Sequence, residues 1–100
     1  MSQKTNLINF HHDVIEPSKQ APVFVLVYQS WHAGQQHWAD RFHDLPVVLI
    51  DEMEIGQAWT NAWRVNRTPA MLRIEKGQTT LRVEGLLAPD ELLALMRGGK

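Results

Sequence analysis

The side chains able to do chemistry in this 100-residue chain are five histidines, eleven carboxylates and a scatter of hydroxyls, with no cysteine. The missing thiol excludes a nucleophilic cysteine, a thiolate metal site, an iron–sulfur cluster, a disulfide framework and any dithiol redox cycle. Neutral imidazole is a common ligand for zinc, copper and nickel. Yet His32, His37 and His43 are five and six residues apart, which on a helix turns successive rings to different faces. His11 and His12 could join them only by tertiary approach. Surface histidines are therefore the expectation, with no metal and no other cofactor. A general base needs an orienting acid and an adjacent nucleophile, and the sequence nominates neither for His32, so an enzymatic role is not expected.

Two short stretches carry more than this. Trp31-His32-Ala33-Gly34 stands at the start of an expected helix, where free backbone N–H groups and the helix dipole favour anions. An uncharged imidazole at His32 could exchange one hydrogen bond with a bound partner; otherwise it is simply an exposed side chain. Thr68-Pro69 is an X-Pro step, and a cis bond at such a step, found in about 5–6% of cases, usually serves a specific turn. Four tryptophans is a high count. Trp38, Trp59 and Trp63 fall at helical spacing, where tryptophan is more often core than interface.

The elements that must position these residues come from a chain of 11.5 kDa, enough for one hydrophobic core. Hydrophobic residues make up 44% and charged residues 21%, which argues for a packed globule and against disorder. A formal charge of −1 gives no basic field for nucleic acid or an anionic membrane. The charge is unevenly spread: three basic and seven acidic residues in 1–60 give −4, and seven basic and four acidic in 61–100 give +3. No stretch approaches the roughly 18 apolar residues of a membrane span, and the N-terminus has no apolar run. A soluble, cytoplasmic protein is expected.

Asn6 to Phe10 reads as a short strand, followed by a weak helical piece from His12 that should stop before Pro17. Val23 to Val27 is an unbroken β-branched and aromatic run, the pattern of a central parallel strand covered on both faces. Gly34 to His43 has helical spacing, with Trp38, Ala39 and Phe42 facing the core and Pro46 ending the segment. Val47 to Ile50 is a second buried strand, and Asp51 to Glu54 is an acidic turn into a helix carrying Trp59 and Trp63. Ala70 to Ile74 and Thr79 to Val83 form an antiparallel hairpin around Glu75-Lys76-Gly77-Gln78. The last helix opens at Pro89, Asp90 and Glu91, buries Leu92, Leu95 and Met96, and closes at Arg97 and Gly98. The sum is β-α-β-α-β-α-β-β-α, an α/β sandwich with helices on both faces.

This order, with a Trp directly after the central strand and a Thr-Pro opening the hairpin, resembles the thioredoxin family over roughly Asn6 to Arg97. Val23 to Trp31 followed by His32-Ala33-Gly34-Gln35 is similar to the family's strand and Trp-Cys-x-x-Cys motif, with His32 and Gln35 standing where both cysteines should be. Val65-Asn66-Arg67-Thr68-Pro69 is similar to its cis-proline loop, and Gly77 and Gly85 fall where it has its hairpin and pre-helix glycines. The buried aspartate and the lysine that serve redox members correspond here to Leu26 and Val47, so the redox apparatus is missing beyond its sulfurs.

The resemblance implies one thioredoxin-like domain over residues 1–100: a three-layer sandwich around a mixed sheet, with a parallel core and a C-terminal antiparallel hairpin. It also implies a cis Thr68-Pro69 bond, a solvent-facing Trp31 and pairing of Thr68 with an extended partner segment. The expected function is a redox-inactive, chaperone-like or assembly-accessory module. It would bind a protein or peptide through Trp31, His32, Ala33, Gly34, Gln35, Arg67, Thr68, Pro69 and Gly85, as a monomer or weak homodimer. Two alternatives stay open: a glutathione-like or other anionic small molecule at the helix N-terminus, or a purely structural, oligomerising domain.

Overall fold

The computed structural model describes residues 3–42 and 47–84 together with Ala94, apart from the side chains of Gln3, Trp38, Ala39 and Phe42. The expected stripe of Trp38, Ala39 and Phe42, the stop at Pro46 and the C-terminal helix from Pro89 with its buried Leu92, Leu95 and Met96 fall outside that description. Five strands form one mixed sheet: β1 (Gln3–Thr5), β2 (Val23–Tyr28), β3 (Val47–Asp51), β4 (Ala70–Glu75) and β5 (Gln78–Glu84), in the spatial order β1-β3-β2-β4-β5. The first three strands in this order run parallel, β2 aligning Leu26 with Leu49. β4 is antiparallel to β2, with Val27 opposite Ala70, and β5 is antiparallel to β4. Short connections can join only antiparallel neighbours, so each parallel step is made through helical chain.

Helical segments precede and follow these strands: a π-helical turn (His11–Ile15) running into α1 (Glu16–Ser18), then α2 (Ala33–Phe42), α3 (Glu52–Ile55) and α4 (Gln57–Ala62). One face of the sheet offers Val25, Val27, Val48, Ile50, Leu72 and Ile74, which pack with Phe10, Val14, Ile55 and Trp59 from the helices. The Phe10 ring meets Trp59 and Trp63 edge-on, and the two indoles stack at 5.8 Å. Residues alternating with that row, among them Leu26, Tyr28, Leu49 and Met71, are buried as well. Both faces are thus covered, which is why β2 and β3 read as continuous apolar runs.

The N-terminal stretch departs from expectation. Asn6 to Phe10 is not a strand: the Asn6 side chain accepts the Asn9 N–H at 2.9 Å, a side-chain turn that diverts the backbone from the sheet and leaves Leu7 and Ile8 exposed. β1 lies earlier, at Gln3–Thr5. Nor does Pro17 stop the helix. It sits in the first turn of α1, where its missing N–H is tolerated, directly after the π-helical turn. The helix expected after Asp51 is broken in two at Gly56, whose φ of 92° lies in the region that glycine alone enters without strain. The β4–β5 connection is a two-residue turn with Lys76 and Gly77 both at positive φ, the form that matches the twist of a hairpin.

Candidate functional site

Parallel β2 and β3 end, and antiparallel β4 begins, at the same edge of the sheet, since Tyr28 aligns with Asp51 and Val27 with Ala70. Residues 29–35, 51–52 and 67–69 are therefore gathered from far apart in sequence. Asp51 is the last residue of β3 and the N-cap of α3. Its buried carboxylate accepts the Met53 N–H at 3.1 Å and the Ser30 N–H at 3.3 Å, so one side chain caps a helix and holds the turn leading to Trp31. The Gln29 amide donates to Glu52 at 2.7 Å beside it.

Gln35 sits at the centre. Its side chain is buried, its carbonyl oxygen accepts the Gln29 N–H at 2.9 Å, and its amide nitrogen donates to the Thr68 carbonyl at 3.3 Å. The first turn of α2 is thereby fastened both to the end of β2 and to the loop before β4. The Thr68-Pro69 bond is cis, as the resemblance implies, and Pro69 is buried with Thr68 half-buried above it. The loop is held from its other side by Glu84, whose carboxylate accepts the backbone N–H groups of Asn66 and Arg67.

Trp31 projects from this frame with 63% of its surface exposed, its ring edge-on to the His32 imidazole at 5.8 Å. His32, Ala33 and Gly34 are exposed beside it. The His32 ring folds back over Gly34, where an added Cβ would lie 3.3 Å from it, so a side chain at that position would push the imidazole away. The His32 carbonyl receives the N–H groups of Gln35 and Gln36, which fixes the helix start. Gly85 lies outside the described residues.

Leu26 is fully buried and Val47 nearly so, both among apolar neighbours. Among the described residues no set of three histidines or carboxylates is arranged to hold a metal ion, and no helix is long and apolar enough to cross a membrane. Sequence reasoning chose Trp31 to Gln35 and Arg67 to Pro69, and the fold brings those two stretches together through Gln35 and Thr68. It missed Gln29, Ser30, Asp51, Glu52 and Glu84. Asp51 had a signal, a capping residue between an apolar strand and a helix; the others make contacts across 17 residues or more that no local pattern announces.

The sequence matches no protein-family model, and no curated protein matches it. Solved structures do. A chain of the crystal structure of the ferredoxin:thioredoxin reductase and thioredoxin f2 complex superposes with a TM-score of 0.82 at 12% identity, over 98% of this chain and 94% of that one. Thioredoxin f from spinach chloroplast gives 0.81 at 13% identity, over 97% and 84%. A mutant thioredoxin from Halobacterium salinarum NRC-1 gives 0.78 at 21% identity, over 97% and 88%. The chain has a thioredoxin-like fold. Within that fold it is a cysteine-free form, with His32 and Gln35 at the two ends of the stretch that resembles the dithiol motif.

Proposed function

We propose that this protein is a non-redox binding module that holds an extended segment of another protein in the groove between Trp31 and the Thr68-Pro69 loop. The observation that carries the reading is the exposure of Trp31, a large aromatic 63% open to solvent on a turn anchored by the buried Asp51. An exposed aromatic beside free polar backbone is the composition a peptide site uses for its anchor. Thr68 supplies the backbone. One lone pair of its carbonyl is taken by Gln35, and its N–H has no backbone partner among the described residues, so an extended chain can pair with it as an added strand does. That a similar solved structure is a thioredoxin complexed with a reductase accords with a protein partner. Replacing a cysteine by Gln35 substitutes a fixed hydrogen-bonded strut for a reactive thiol, which favours holding over exchange.

The test is selection of ligands from a random peptide library, with the binding site mapped by amide shifts. Selected peptides should perturb the Trp31 indole and the Thr68 amide and should bind the Trp31→Ala, Thr68→Arg double variant at least about tenfold more weakly, the effect of losing one hot-spot aromatic. Ligands mapping elsewhere, or binding the variant equally well, would overturn the reading.

A further inference from the structure

A cavity away from the Thr68-Pro69 loop stands out. It is an open cleft of about 800 Å³ between the C-terminal end of α4 and the helix-side face of β5, with Trp63 and Arg64 on one wall and Gln78, Thr79 and Arg82 on the other. We propose that this cleft binds an acidic, extended peptide segment that lies along β5.

Charge is the first support. Among the described residues Arg64 and Arg82 line the cleft and no carboxylate does. Three neighbouring charges are already engaged. Arg73 and Glu75 pair with each other at 3.3 Å on the opposite face of the sheet, since they alternate with the core residues Leu72 and Ile74. Glu84 spends its carboxylate on the Asn66 and Arg67 N–H groups and lies 3.9 Å from the Arg82 guanidinium, a long and weak contact. Of the seven basic residues after position 60, Arg64 and Arg82 thus face this cleft.

The backbone at Arg64 is the second support, and it is independent of charge. The Val65 N–H bonds the Thr60 carbonyl at 2.8 Å and the Arg64 N–H bonds Asn61 at 3.2 Å, the paired bonds that close a helix with one left-handed residue. That residue is Arg64, at φ 58°. Glycine is the residue this position favours, and an arginine there carries a conformational cost that its exposed side chain does not offset within the described protein.

Shape is the third. Among the described residues β5 is an edge strand, bonded to β4 alone, and Gln78, Thr79, Thr80 and Arg82 are all exposed. Its outer backbone groups can therefore take an added strand, while carboxylates on one face of that strand reach the two guanidiniums, which are suited to bidentate pairing.

A short synthetic peptide alternating glutamate with valine and threonine is the probe, titrated into 15N-labelled protein. The amides of Gln78 to Arg82 and the Trp63 indole should shift saturably, and the affinity should fall as salt is raised. Arg64→Gly is the decisive variant. It removes the side chain while relaxing the backbone, so the melting temperature should rise while binding weakens about tenfold, the loss of one charge-assisted pair. The analogue with glutamine for glutamate should bind as poorly. The Trp31→Ala, Thr68→Arg variant should bind the acidic peptide as the wild type does, so the two surfaces stand or fall separately. Unchanged affinity in Arg64→Gly, shifts centred on Trp31, or no saturable shift would each overturn the proposal.

Discussion

The Gln35 side-chain amide donates to the Thr68 carbonyl at 3.3 Å, across 33 positions of sequence, while its own carbonyl oxygen takes the Gln29 N–H at 2.9 Å. One buried side chain thus sets the distance between the start of α2 and the loop before β4. The spacing of these two segments is held by this contact, and an amide is the side chain that can donate and accept at once.

Gln35→Met keeps the volume but leaves the Gln29 N–H and the Thr68 carbonyl without their partner. Such groups cost about 1–3 kcal/mol each when buried, and partial hydration of Thr68 puts the loss toward the lower end of that range. Urea unfolding should show the midpoint falling. An unchanged midpoint would mean that water replaces the amide and that Gln35 is not what ties these two segments together.

Trp31→Ala should separate binding from stability. The ring is 63% exposed and outside the core cluster, so its removal should change unfolding free energy by no more than about 0.5 kcal/mol. Binding of groove-selected peptides should nevertheless drop sharply. A large stability loss would show instead that Trp31 is a packing residue.

The wild-type protein should leave the rate of insulin reduction by dithiothreitol at that of the reductant alone, because exchange requires a thiolate to attack the disulfide and a second thiol to release it. The chain contains neither. Acceleration comparable to that of a dithiol thioredoxin, run alongside, would contradict this.

Lys4 gives a pH dependence with a defined sign. Its ammonium is held above the ordinary lysine range, with the neighbouring Tyr28 side chain as the first cause, Glu54 and Asp51 adding to it and partial burial opposing it. The hydroxyl is buried and finds no partner of full hydrogen-bond geometry, so this is a loose contact. A raised pKa in the folded state means the stabilisation is complete below the unfolded lysine value and is lost as pH rises through the folded one. The stability difference between wild type and Lys4→Gln should therefore shrink on moving from about pH 8 to above pH 10.5. A difference constant across that range would show that Lys4 acts only through strand packing.

The central strands were legible in the chain before any folding: Val23 to Val27 and Val47 to Ile50 are apolar without interruption because both faces of β2 and β3 are covered. The hairpin was legible from the glycine-containing Glu75-Lys76-Gly77-Gln78, and the fold shows that two left-handed residues, Lys76 and Gly77, suffice to make its turn. The absence of cysteine settled what chemistry the site lacks. The path of Asn6 to Phe10 was not legible, because a side-chain turn and the docking of Phe10 on Trp59 outweigh a short run of strand formers. Nor was it legible that Asp51 holds the Trp31 turn, that Glu84 holds the Arg67 loop, or that Gln35 is a strut; these exist only once the chain is folded. Apolar burial leaves a periodic trace along the chain, since every residue facing the core repeats with the element. A polar contact between distant segments leaves none, because one hydrogen bond requires one suitable atom at one point in space, and the fold must exist before that point does.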